Sequence, residues 1–196
     1  MRRVMLLFGL VLIAHPVAAV AQHRELGAHE HGRGTLNVAI EGKRVSMELE
    51  VPGADIVGFE HAAKTRQQRA AVEKAKTQLL APQTLFKLPA AAGCVVSAAS
   101  VEIESGDHDQ AKGKGAAPAK SGGSAKKEPA GRAHSEFHAQ YAFDCQAPAS
   151  ITTIEFDFFR AFAGAQKIDV NVVTTKGQSK FQVSRGKPRI DLAGMM

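Results

Sequence analysis

Apolar residues recur at every second position along most of this chain, and that rhythm commits it to β-structure. Leu36, Val38 and Ile40 alternate with polar or small neighbours, as do Val45, Met47, Leu49 and Val51. Glu41-Gly42-Lys43 between them is a short turn, so the pair predicts an antiparallel hairpin ended by Pro52 and Gly53. A turn-rich stretch follows to His61. Strand character returns from roughly Cys94 to Glu104. It is cleanest where Phe137, Ala139, Tyr141, Phe143 and Cys145 share one face and His134, Glu136, His138, Gln140 and Asp144 the other. Ile151 to Phe158 predicts a further strand, with Phe158, Phe159 and Phe162 in a following turn or short helix. Ile168, Val170 and Val172 pair with Phe181 and Val183 across a turn near Lys176-Gly177. Lys64 to Leu80 is the one good helix, with Val72, Ala75 and Leu79 as a narrow apolar stripe and Pro82 to stop it. The expected fold is α+β: an antiparallel β-rich domain, sheet or sandwich, of about six or seven strands with one main helix.

Two segments fall outside that pattern. Residues 1–21 read as a secretory signal peptide. Arg2 and Arg3 form the basic start, Val4 to Ala14 the apolar run, and Ala19-Val20-Ala21 the cleavage site. A mature chain from Gln22 to Met196, outside the cytoplasm and in a bacterial periplasm, is the expectation. From about Ser105 to Ala133 the chain is mostly Gly, Ala, Lys, Ser and Pro. It has too little apolar surface to offset ordering entropy, so it reads as a disordered insert in the single domain 22–196. Cys94 and Cys145 flank it, and an even pair in an oxidising compartment reads as a disulfide. Such a bond would pin the ends of the insert together. It closes a loop of about 50 residues, worth roughly 4 kcal/mol on the chain-entropy model. A thiol metal site or redox pair is the alternative, although no CxxC is present.

The formal charge of +6 includes Arg2 and Arg3 of the expected leader, and no basic stripe interleaves with aromatic residues. Nucleic-acid binding has no signature here. Neither has catalysis: there is no GxSxG, HExxH, Gly-rich phosphate loop or CxxC. The histidines carry more information. His29-Glu30-His31, with His23 upstream, puts two imidazoles on one side of an extended chain. His134 and His138 flank Glu136. On a flat strand they stand about 13 Å apart, too far to share an ion that lies about 2.1 Å from each ligand nitrogen. A bend near Ser135 would bring them together, and Glu136 with His138 is the easier pair. Asp107-His108-Asp109 in the insert alternates donors suited to zinc, and equally suits a solvated loop. His61 packs or caps at the start of the 64–80 helix, or brings a third ligand to an HxH pair.

Several stretches together resemble one family. They are Ala28-His29-Glu30-His31-Gly32; Val51-Pro52-Gly53-Ala54-Asp55-Ile56-Val57-Gly58-Phe59-Glu60-His61; Leu85-Phe86-Lys87-Leu88-Pro89 before Cys94; and His134 and Phe137 before Tyr141-Ala142-Phe143-Asp144-Cys145. Over nearly the whole mature chain the sequence is similar to the zinc-regulated periplasmic zinc-binding proteins, the ZrgA-like family. The resemblance implies a non-enzymatic periplasmic protein that binds zinc and assists high-affinity import by an ABC-type system. It points to His29, His31, His61, His134 and His138 as metal ligands. Relatives often carry a long His/Asp-rich insert, whereas this chain has Asp107-His108-Asp109 and then Lys, Gly and Ala. High-capacity buffering is therefore not implied. Ligation needs neutral imidazole, so affinity should fall as pH drops below about 6.5. Copper would bind such donors more tightly than zinc, leaving selectivity to availability or geometry. The competing readings are a metal-free envelope interaction module of β-rich fold and, more weakly, a metal-dependent hydrolase.

Overall fold

The computed structural model describes residues 31–105 and 134–196. The expected signal peptide, His23, His29 and the Asp107-His108-Asp109 stretch lie outside them. The predicted hairpin is present: β1 (Arg33–Glu41) and β2 (Arg44–Pro52) pair antiparallel, with Val38 opposite Met47. β4 (Cys94–Ser105) and β5 (Ser135–Cys145) form a second antiparallel pair, and β5 lies beside β2. A third antiparallel pair is β7 (Lys167–Thr174) and β8 (Gly177–Ser184). The six strands make one sheet in the order β4-β5-β2-β1-β7-β8.

This sheet departs from the antiparallel expectation at one seam. β1 and β7 run parallel, with Leu36 beside Val170. Alternation places residues on a face but says nothing of strand direction, which is set by the connection. The connection here is long enough to carry the chain back to the starting end of the sheet. On the way it contributes β3 (Phe86–Lys87) and β6 (Thr153–Phe156) to a smaller sheet, which β9 (Arg189–Asp191) joins after β8, in the order β3-β6-β9. The strand count among the described residues thus exceeds six or seven, because β3 and β9 are too short to show a period.

The main helix, α2 (Arg66–Leu79), falls within the predicted span. Thr65 caps it, its hydroxyl accepting from the Gln68 N–H at 3.1 Å while the Gln68 side chain accepts from the Thr65 N–H. Only Ala75 and Leu79 of α2 are buried, so it covers the sheet lightly. Three one-turn helices accompany it: α1 (Gly53–Val57), α3 (Pro82–Leu85) and α4 (Phe158–Ala161).

Leu36, Val38 and Ile40 of β1, Leu49 and Val51 of β2, Phe137 and Phe143 of β5 and Ile168 and Val170 of β7 all face inward. An aromatic group meets them from the small sheet and α4: Phe86 stands edge-on to Phe156 at 5.6 Å, and Phe158 lies 4.8 Å from Phe162. Each such buried side chain stabilises the fold by about 1.5–3 kcal/mol. The opposite face of the large sheet has no second layer among the described residues.

Cys94 and Cys145 are register partners and are joined by a disulfide. The bond sits at the far end of the β4–β5 pair from residues 106–133. What holds the two ends of that segment together is the ladder itself, whose last pair is Ser105 and Ser135. The expectation that the disulfide pins the insert is corrected in this respect, since the length of β5, Ser135–Cys145, separates bond and insert.

Candidate metal centre

The site arises where β2 stops. Pro52 has no N–H to extend the ladder, and the chain turns into α1 at Gly53. A Cβ at Gly53 would lie 2.2 Å from the Ser135 Oγ and 2.9 Å from the Phe59 carbonyl. The absence of a side chain there lets the start of β5 lie against the turn. Gly58 ends α1 in the left-handed region (φ 84°), its N–H donating to the Ala54 carbonyl at 3.0 Å. Phe59 and Glu60 then return across the mouth of the turn.

There the Glu60 carboxylate meets two imidazoles from distant parts of the chain. His134, just before β5, places Nδ1 2.7 Å from Oε2; His31, just before β1, places Nδ1 3.4 Å from Oε1. The Glu60 side chain is only 15% exposed, against 47% for His134 and 66% for His31. A mostly buried carboxylate thus holds two rings that open to solvent. Two donors on one tetrahedral zinc, each about 2.0–2.1 Å from the ion, stand roughly 3.3 Å apart. The 2.7 Å contact is shorter and has the length of a charge-assisted hydrogen bond.

Below this group lies Asp55 of α1, which is buried. Its Oδ1 accepts the N–H of Gly32 at 2.8 Å, and its Oδ2 has no hydrogen-bond partner among the described residues. Burial pushes the Asp55 carboxyl up, partly opposed by the Gly32 hydrogen bond and by His31, and reinforced by Glu60. Gly32 is fixed on its other side too, its carbonyl accepting from the N–H groups of Gln166 (3.0 Å) and Lys167 (2.8 Å).

The remaining predicted residues go elsewhere. The extended course of β5 carries His138 away from His134, by about 3.3 Å per residue. Its Nε2 lies 3.0 Å from Glu136 and 3.6 Å from Glu104, and its Nδ1 3.9 Å from Glu50. These glutamates come from β5, β4 and β2, set side by side by strand register. His61 stacks on Phe59 with ring centroids 5.1 Å apart. Its Nδ1 is 3.0 Å from the Ala62 carbonyl and its Nε2 3.5 Å from the Gln68 amide at the start of α2. Among the described residues, no three His, Cys, Asp or Glu side chains already gather closely enough to hold an ion. A concavity of about 630 Å³ on the open face of the large sheet, lined by residues including Asn37, Ala39, Ala142 and Asn171, lies away from both histidine groups.

Sequence reasoning missed Glu60 and Asp55 as members of the group, although both stand inside the quoted Val51–His61 motif. Their signal was a carboxylate in an otherwise apolar, turn-rich stretch, at Asp55 and again at Glu60.

Fold and site together define a β-rich protein bearing a carboxylate-buttressed pair of histidines at the junction of its sheet and first turn. Residues 28–192 match the family described as ZrgA family zinc uptake protein, and the chain belongs to that family. This is the kinship that the HxHG and GFEH motifs point to. Among curated proteins none matches the chain.

Proposed function

We propose that this is a periplasmic zinc-binding protein, accessory to high-affinity zinc uptake, that takes its ion at His31 and His134. The observation that carries the reading is Glu60, one carboxylate facing imidazoles from opposite halves of the sequence. In zinc sites a ligating histidine commonly turns its second ring nitrogen to a carboxylate, which fixes the ring and its tautomer. With Nδ1 of both rings toward Glu60, Nε2 is the nitrogen that ligates. The HxH spacing offers His29 as a further donor. His138 with its glutamates is a weaker, separate donor set, and His61 stands outside the site. Membership of a zinc uptake family supports zinc as the cargo. The signal-peptide pattern supports the periplasm, where an ABC-type importer component is the fitting recipient.

The competing reading, a metal-free envelope module, draws on the lack of a preformed three-donor cluster among the described residues. Chelator-competition titration of zinc into the wild type and into His31→Ala/His134→Ala separates the two. The double variant should lose more than about 100-fold in affinity, exceeding the 10–100-fold typical of removing an outer-shell partner. Equal affinity would remove this pair from the site, and a melting temperature indifferent to zinc in the wild type would favour the metal-free module.

A further inference from the structure

Asp55 is 4% exposed, and half of its carboxylate is accounted for. Oδ1 accepts from Gly32 at 2.8 Å, whereas Oδ2 is sealed from solvent with no hydrogen-bond partner among the described residues. A buried carboxylate oxygen in that condition is costly. Such an arrangement persists where something else gains from it. The surroundings show what gains. Gly32 has φ +83°, and a Cβ there would lie 3.2 Å from the Gln166 side chain. Asp55 takes its N–H while Gln166 and Lys167 donate to its carbonyl. His31 immediately precedes Gly32, so the Asp55–Gly32 bond sets where that imidazole leaves the fold. Asp55 is itself held firmly: the chain at Gly164 comes so close that a Cβ would lie 2.5 Å from the Asp55 carbonyl oxygen.

Charge gives the same answer. Asp55 interacts electrostatically with both His31 and Glu60. With both carboxylates ionised and the imidazoles neutral, as metal ligation requires, the group is doubly negative, and one divalent cation balances it.

We propose that Asp55 is an anionic positioning residue of the metal centre, fixing His31 through Gly32 and supplying, on its sealed second oxygen, negative charge that a bound divalent cation neutralises. This rests on the reading that zinc is held at His31 and His134. Glu60 orients the rings from their buried side, and Asp55 anchors the backbone beside it.

The test is Asp55→Asn, measured for zinc affinity by chelator competition and for metal-free melting temperature. The amide keeps a carbonyl oxygen for the Gly32 N–H but removes the charge. Zinc affinity should fall about 10–100-fold, while the metal-free melting temperature stays level or rises. Asp55→Ala, which also removes the anchor, should lower both. A purely structural role predicts the reverse for Asp55→Asn, a lower metal-free melting temperature with zinc affinity unchanged, and that result overturns the inference. Should the His31→Ala/His134→Ala variant bind zinc like the wild type, the site reading falls and takes the inference with it. Should that variant lose zinc while Asp55→Asn binds normally, only the role of Asp55 falls.

Discussion

His134 and His138 lie four residues apart, yet they belong to two differently built clusters. Around His138 the partners are fixed by strand register. Glu50 is opposite it on β2, while Glu136 and Glu104 face each other across β5 and β4. Neighbouring strands stand about 4.7–4.9 Å apart and same-face residues on one strand nearly 7 Å apart, so the donors form a lattice and reach each other only through their side chains. Glu104 is 64% exposed and its contact to the ring is long, at 3.6 Å. Around His134 the partners come from turns and element ends, where no pleat fixes their spacing. A mostly buried carboxylate there serves two rings, with a second buried carboxylate behind it. Glutamates in register make a negative face; a site with chosen directions needs chain ends that converge.

The strongest way to break this contrast is to remove each group in turn. With the loss of more than about 100-fold expected for His31→Ala/His134→Ala as the reference, His138→Ala should change zinc affinity by less than about threefold, because strand register holds its carboxylates apart and no second imidazole joins them. Reversal of the two results in the same titration would make the strand face the site and the turn cluster ordinary surface. Between these extremes falls Gly53→Ala. Its new Cβ would press on Ser135, the residue after His134, at 2.2 Å. It should destabilise the protein by about 1–3 kcal/mol, read from denaturant unfolding, and weaken zinc about tenfold by displacing His134. His138, further along β5, should keep its surroundings. A tenfold zinc loss caused equally by perturbing β5 near His138 would blur the distinction.

The same contrast explains what could be read from the sequence. Period-two alternation located β1, β2, β5, β7 and β8, along with their inward faces, because each residue's face depends only on its neighbours. The rise of a flat strand, about 3.3 Å per residue, set His134 apart from His138 although they share a face. The parallel pairing of β1 with β7 was not visible, since alternation is identical in both directions. β3 and β9 were too short to alternate. At the site, the HxHG and GFEH motifs marked the right turns, but a turn's side chains meet through tertiary packing. Nothing in Asp55 or Glu60 alone said that one would lie beneath Gly32 and the other between His31 and His134. The cysteines were paired correctly, but their place at the far end of the hairpin depended on register, which spacing does not give.

The smallest expected effect sharpens the question of what holds His31. Besides the Asp55–Gly32 bond, Arg33 ties the start of β1 to Asp169 of β7 by an ion pair. Partial burial pushes the Asp169 carboxyl up, but hydrogen bonds from Arg33 and Gln182 and the charges of Arg33 and Lys167 outweigh it and hold the group below its usual value. The linkage follows from that direction. The stabilisation is fully present above the unfolded value of about 3.9 and is lost as pH falls through the lower folded value. Asp169→Asn should therefore cost less than about 1 kcal/mol at pH 7, as for other solvent-screened pairs. The difference from wild type should close as both are unfolded at progressively lower pH below about 4. Zinc affinity should change by less than about twofold, because this pair secures a strand already held by the full β1–β7 ladder. A tenfold loss would mean that the surface tether, and not the buried carboxylate, fixes His31, and the turn cluster would then owe its geometry to the sheet after all.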